Sequence, residues 1–361
     1  MARSYNQMLG YVFKRNSLRF ALRTLLPTIR YCVARPSLPP GDKPALCTMN
    51  ILPPMMTVWY HFAKKNIGDG ADIVIFDCTG RLDPKEFPDA RVLPFLNFYA
   101  STKGNIFIRS IAHNRRIAWI CDDDMFLMSP QCIAILQREL AVPGTASVSF
   151  RPREWWAFDL SHSATSLPLQ GERPSEEADK RATLIQPSSS YCIALDRGIF
   201  MREKLSLAPA SDNPHPGLLT RPPRRYDTFD KANEILLQKG YRCAILSPEE
   251  RQKCVAEFSG LSGAVMLLYH FKTSNQTLDY FRSAPRENWS GNLLFGLMSA
   301  MLSVSTIQDL YTKLKGCPYP LPSLPARGEL LKILEERKQF IRPDQTLDAL
   351  ERTSERLRSA L

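Results

Sequence analysis

A chain of 361 residues with 44% hydrophobic and 23% charged residues has the make-up of an ordinary globular protein, with material for one large domain or two modest ones. Nine cysteines are scattered without a Cys-x-x-Cys pair, which excludes a zinc ribbon and a disulfide scaffold and fits a reducing, cytoplasmic setting. The net charge of +11 calls for an anionic partner, either a diphosphate-bearing substrate, a membrane surface or a nucleic acid, and no apolar run is long enough to span a bilayer.

In chain order, residues 1–36 carry Arg3, Lys14, Arg15, Arg19, Arg23, Arg30 and Arg35 and no acid. Leu9, Val12, Phe13, Leu18, Phe20, Leu22, Leu25 and Leu26 lie between them at roughly helical spacing. Two readings fit this basic amphipathic segment, which is assigned to residues 1–42. It either lies on an anionic membrane, placing the protein peripherally on the inner face, or packs on the main domain with its basic face in water.

The main domain is expected over residues 43–275. Lys43–Ile51 reads as a strand closed by Pro53-Pro54, and Met55, Met56, Trp59, Phe62 and Ala63 follow at helical spacing. Ala71–Asp77 reads as a buried strand ending in an acid, which completes a parallel β-α-β unit. Ligands of such sheets sit beyond the carboxyl ends of the strands, where Asp77 falls. Arg91 and Asn97 come next, and Ser101–Asn105, with Lys103, gives a polar and basic start to a helix through Ile106–Ala112, a setting for an anion.

Ile117–Cys121 is a strand-type run that ends in Asp122, Asp123 and Asp124. Three adjacent carboxylates at the end of a buried strand repel one another unless a cation neutralises them. In an extended chain Asp122 and Asp124 point to one side and Asp123 to the other, so two of the three can share a metal, and hard oxygen ligands suit Mg²⁺ or Mn²⁺. The alternative is an acidic turn ahead of a helix with Ser129 as N-cap and Pro130 as first helical residue.

Farther on, Ile133, Ile135, Leu136 and Leu140 indicate a helix and Ala146–Phe150 a strand. Trp155-Trp156 with Glu154 suits either a sugar platform or packing. Residues 161–187 read as a polar insertion and 208–225 as a proline-rich loop, with a strand at Ser190–Arg197 between them. Asp227 and Asp230 stand at the start of an amphipathic helix stopped by Gly240. One of them is expected to cap it and the other to be free as a base. Tyr241–Leu246 is a strand, and Met266–Thr273 an apolar run ending in His270, Phe271 and Lys272. Residues 276–361 form a helical extension divided at Pro343.

Taken together, Ala45 to Thr273 resembles a nucleotide-sugar glycosyltransferase of the GT-A fold, nearest the inverting family-2-like group. The resemblance is carried above all by Asn97–Leu127 with its Asp122-x-Asp124 motif. It implies an α/β fold, a mixed, mainly parallel sheet flanked by helices, with extra helical segments at both ends. It also implies that Asp122 and Asp124, joined by His270, hold Mn²⁺ or Mg²⁺ on the diphosphate of a nucleoside-diphosphate sugar. Asp77, Arg91, Lys103 and Asp123 would lie around the nucleotide, Asp227 or Asp230 would deprotonate the acceptor hydroxyl, and the acceptor would be a glycan or a lipid-linked glycan. The sequence departs from the family pattern at Tyr226 and Phe229, which interrupt the usual acid pair. Two competitors remain. One is metal-dependent nucleotidyl or phosphoryl transfer, for which no Gly-x-x-x-x-Gly-Lys-Ser/Thr loop is present. The other is a basic membrane- or nucleic-acid-binding protein, which leaves the acid triplet unexplained.

Overall fold

The structure, a computed structural model, describes residues 15–150, 154–159, 167–170, 182–185, 192–208, 228–258, 260–290, 293–341 and 346–361. Its centre is a seven-stranded sheet of β1 (Ala45–Asn50), β2 (Asp72–Asp77), β3 (Ala90–Pro94), β4 (Ile117–Cys121), β6 (Thr145–Ser149), β10 (Cys192–Asp196) and β11 (Arg242–Ile245). The strands lie in the order β11-β6-β10-β4-β1-β2-β3. All run parallel except β10, which is antiparallel to both of its neighbours. This is the mixed, mainly parallel α/β architecture expected from the alternation of apolar strands and amphipathic helices. The short strands β5 (Met125–Leu127) and β12 (Val255–Glu257) form an antiparallel pair beside it. A three-stranded sheet of β7 (Glu154–Asp159), β8 (Leu167–Gln170) and β9 (Ala182–Ile185) puts two strands inside the stretch read as a polar insertion.

Both faces of the main sheet are apolar, and the period-two alternation sorts its side chains. Leu46, Ile73, Ile75 and Trp119 enter one core, while Cys47, Val74, Phe76, Ala118 and Ile120 enter the other. The first core is covered by α2 (Pro53–Ile67), α4 (Gln131–Ala141), α8 (Leu261–His270) and the carboxyl-terminal helices α11 (Leu293–Lys315), α12 (Arg327–Arg337) and α13 (Thr346–Ala360). The helical tail therefore shares the sheet's own core, with Met301, Leu330 and Leu357 buried in it. The second core lies under α3 (Ala100–Ile106), which continues as a π-helical turn through Ile111, under α5 (Arg197–Arg202) and under α6 (Asp230–Gln238). Helix α1 (Arg15–Ala34) packs along the β3 edge, where Tyr31 sets its ring edge-on to Phe95 at 5.7 Å.

Two local choices set up the site. Pro53 and Pro54 end β1 and also start α2, because proline at the first helical positions loses only an N–H that has no intrahelical acceptor. Gly104 lets α3 lie close on the sheet, since a Cβ there would stand 2.4 Å from Leu207 Cδ1 and 3.2 Å from Ile120 Cδ1. The helix after the acid triplet begins at Gln131 with Pro130 in the capping position. The Ser129 hydroxyl accepts from Gln131 N at 3.2 Å, one residue from the expected arrangement.

Candidate active site

Because β1, β2 and β4 are parallel neighbours, Asn50, Asp77 and Asp122–Asp124 come to one end of the sheet. The acid triplet is not extended. Beyond Cys121 the chain turns at Asp123–Asp124 and reverses into β5, with Met125 N bonded to Asp122 O at 3.1 Å. Turn geometry replaces strand alternation here because β5 is anchored from outside. Trp59 Nε1 donates to Met125 O at 2.9 Å and Asn66 Nδ2 to Leu127 O at 2.9 Å, both from α2. On the other side β12 pairs with β5, and Phe258 N donates to Asp124 O at 3.0 Å.

The turn gathers more negative charge than it neutralises. Burial pushes the Asp123 carboxyl up to about 7, against the opposing effect of the Ile51 N–H and of nearby Lys103. Asp124 is held well above the usual carboxylate range by burial and then by the charges of Asp122, Asp123 and Glu257. Asp123 Oδ2 and Asp124 Oδ1 are buried and, among the described residues, have no hydrogen-bond partner. A buried carboxylate oxygen without donor or counter-ion is costly, and a bound cation is the simplest group that would satisfy two at once.

Asp77, one strand over, is the opposite case. Its Oδ1 accepts from Asn50 Nδ2 at 2.8 Å, from Thr79 N at 3.0 Å and from Thr79 Oγ1 at 2.7 Å, and its Oδ2 accepts from Leu82 N at 3.0 Å. The side chain is fully buried and shapes the loop after β2 from inside. Lys103 is also buried, and its Nζ reaches Asn97 Oδ1 at 3.1 Å and Cys78 Sγ at 3.0 Å, which puts a positive charge beside the acid turn.

Other expected residues are not brought to this place. Arg91 lies in the amino half of β3, opposite Val74, and donates to Ser37 O at 3.1 Å, away from the carboxyl ends of the strands. His270 ends α8 in an exposed position with its ring against Phe271 at 5.0 Å. Among the described residues no three of His, Cys, Asp and Glu converge as a metal cage, so the expected trio of Asp122, Asp124 and His270 is not assembled. Its neighbour Tyr269 does reach the site, because the helical turn aims the phenol inward and its hydroxyl donates to Ile51 O at 2.9 Å. Asp230 is the first residue of α6 and Phe229, in a left-handed conformation (φ 73°), occupies the capping position, so Asp230 is not the cap. Asp227 lies outside the described residues, as do the side chains of Trp155 and Trp156.

Glu257 was not foreseen. It enters through the β5–β12 pairing, opposite Met125, and is held in an ion pair with Arg251. The only sequence signal was the short run Val255-Ala256-Glu257, too brief to read as a strand by itself. Its charge adds to those of Asp122 and Asp123 in raising the Asp124 carboxyl, without joining them in a cage of three metal ligands. One or two carboxylates suffice for Mg²⁺ or Mn²⁺ where substrate phosphates complete the shell.

The chain matches no protein-family model and no curated protein. Among solved structures it is similar to a mannosyltransferase from Pyrobaculum calidifontis in complex with GDP-Man and Mn²⁺, at 12% identity over 96% of each chain with a TM-score of 0.37. It is also similar to a CMP:2-keto-3-deoxy-manno-octonic acid synthetase complexed with CTP, at 10% identity over 57% of this chain and 90% of that one with a TM-score of 0.32. A 4-diphosphocytidyl-2C-methyl-D-erythritol synthase from Anaerococcus prevotii aligns at 8% identity over 61% of this chain and 94% of that one, with a TM-score of 0.33. At such scores these likenesses carry nothing about activity.

Proposed function

We propose that the chain is a metal-dependent glycosyltransferase that moves a sugar from a nucleoside-diphosphate donor to an acceptor hydroxyl of a glycan or lipid-linked glycan. The observation that carries this reading is the acid turn after β4, with two buried carboxylate oxygens that lack partners among the described residues, at the end of the sheet where the parallel strands finish. Asp122 and Asp124 would hold the cation, with Asp123 and Glu257 adding negative charge around it. Mn²⁺ or Mg²⁺, when bound, would neutralise charge on the departing nucleoside diphosphate.

The chain's own residues supply the rest. Lys103, fixed by Asn97 and Cys78, offsets part of the acid charge and keeps a cationic group near the phosphates. Asp77 acts as a positioning residue, because its bonds to Asn50, Thr79 and Leu82 fix the loop that would border the nucleotide. Asp227 or Asp230 would take the proton from the acceptor hydroxyl, and attack from the face opposite the leaving group would invert the anomeric centre.

The test is the thermal shift of the full chain against nucleoside diphosphates, triphosphates and nucleotide sugars with Mn²⁺, Mg²⁺ or EDTA. A ligand at about 100 times its dissociation constant should add roughly 2.7 kcal/mol. The proposal expects a shift with one nucleoside diphosphate or its sugar that disappears with EDTA and in Asp124→Asn. A triphosphate as the tighter ligand would move the reading to nucleotidyl transfer, and no metal-dependent shift with any nucleotide would overturn it.

A further inference from the structure

Helix α1 is packed the wrong way round for a helix that ends its life in water. Its buried side consists of Thr24, Thr28 and Tyr31, with the Thr28 hydroxyl accepting from Leu96 N at 2.8 Å. Its outward side carries Leu18, Leu22, Leu25, Leu26, Ile29 and Val33, with Leu22 71% and Val33 82% exposed. At 3.6 residues per turn these six fall within an arc of about 100°, a continuous stripe along the helix. They are six of the eleven large apolar side chains exposed among the described residues, and the other five are scattered over different elements. Single exposed leucines need no explanation, but a stripe of this length on one helix marks an interaction surface.

Charge decides what the stripe meets. Arg19, Arg23 and Arg30 are exposed along one border of it, the helix contains no acid, and the whole chain carries a net charge of +11. A second copy of the chain would oppose arginines to arginines across a shared apolar seam. An anionic bilayer takes both the leucines and the guanidinium groups, as interfacial amphipathic helices do. Among the described residues no helix is long and apolar enough to cross a membrane, so the contact is one of lying on the surface.

The helix is also joined to the acid turn by a short chain of contacts. Phe20 packs edge-on to Tyr269 at 4.9 Å and lies under the Arg81 guanidinium at 5.5 Å. Arg23 presses on the loop after β2 so closely that a Cβ on Gly80 would stand 2.6 Å from Arg23 Cβ, and Gly80 itself sits at φ +62°. The Tyr269 hydroxyl donates to Ile51 O at 2.9 Å, and the backbone of Ile51 lies close enough to the Asp123 carboxyl to lower its pKa against the effect of burial.

We propose that α1 docks on anionic phospholipid through its leucine stripe and arginine border, holding the acid turn at the bilayer surface, so that the acceptor is a hydroxyl borne by a membrane lipid. The docking stands by itself, while the acceptor class rests on the transferase reading.

Co-sedimentation of the full chain with vesicles of phosphatidylcholine, with and without phosphatidylglycerol, tests it. Strong binding is expected only to the anionic vesicles, weakening as salt is added. Arg19→Gln with Arg30→Gln should weaken it about 30-fold, at roughly a kcal/mol for each arginine near the surface. Leu22→Glu with Ile29→Glu, both on the exposed side and so expected to keep the thermal midpoint, should abolish it. Asp124→Asn should bind vesicles as the unaltered chain does, so loss of nucleotide binding and loss of docking are read separately. Failure of the unaltered chain to bind anionic vesicles, or equal binding by Leu22→Glu/Ile29→Glu, would overturn the proposal. So would light scattering that shows a dimer converted to monomer by the same double substitution, which would give the stripe to a second copy.

Discussion

Two acidic turns lie side by side at the carboxyl ends of parallel strands, and they are built to opposite rules. Asp77, the last residue of β2, accepts four hydrogen bonds from three residues. Asp123 and Asp124, at the end of the second strand along, each keep a buried oxygen without a partner among the described residues, and their carboxyls are pushed up by burial and mutual repulsion. The fold supplies four donors to one carboxylate and leaves an oxygen without a partner, among the described residues, on each of two others. On the proposed reading the first turn stabilises the structure, while the second costs it stability that a bound cation would offset.

Substitutions should separate the two turns most sharply at Asp77. Asp77→Ala leaves several buried donors unsatisfied and should cost about 3–5 kcal/mol in chemical denaturation, with the metal making no difference. At the other turn the sign reverses. Asp124→Asn removes a buried, repelled charge and should raise the stability of the metal-free protein by about 1–3 kcal/mol above neutral pH, while removing any stabilisation by Mn²⁺. A loss of stability in that variant would mean that the turn is structural after all.

The pH dependence gives a second contrast. Asp123 ionises at about 7 in the fold against an ordinary value of 3.8, so between those values the folded chain keeps a proton that the unfolded chain has released. Its contribution is therefore fully present below the unfolded value and is lost as pH rises toward 7, by at most about 1.4 kcal/mol per pH unit. Denaturation midpoints without metal should fall across that window and flatten in Asp123→Asn. Saturating Mn²⁺ should reverse the trend, since the cation competes with protons for the same oxygens. The smallest effect is expected from Lys103→Met, which removes a charge that opposes protonation of Asp123 and should move the end of the window upward by roughly 0.5–1 pH unit.

Much of this arrangement was legible in the sequence where the cause is local. β1, β2 and β4 and the helix Pro53–Ile67 follow from uninterrupted apolar runs and from helical spacing, and their parallel order puts Asp77 and the acid triplet at one end. Chemistry that depends on distant partners was not legible. Residues 122–124 turn because Trp59 and Asn66 fix β5 from a helix more than fifty residues earlier, and Glu257 arrives by pairing with a strand about 130 residues before it. That Asp77 is saturated depends on Asn50, a residue 27 positions away that only strand register brings alongside. His270 failed for a helical reason, since consecutive residues on a helix point about 100° apart and Tyr269 took the inward position. In α1, Leu18, Leu22, Leu25 and Leu26 do share one face of a helix, whereas Phe20 turns inward onto Tyr269 and Leu9, Val12 and Phe13 lie outside the described residues. Which face meets the protein was set by Thr24, Thr28 and Tyr31, residues that hydropathy alone does not favour for burial.

The central claim is that the turn Asp122–Asp124 is a cation site serving a nucleoside diphosphate. Its most direct test is calorimetric titration of Mn²⁺ into the full chain above neutral pH, with and without a panel of nucleoside diphosphates, alongside Asp122→Asn/Asp124→Asn. The account predicts saturable binding at one ion per chain that tightens with one of the diphosphates and vanishes in the double variant while its fold persists. Equal Mn²⁺ binding in the double variant, or none by the unaltered chain with any diphosphate, would contradict it.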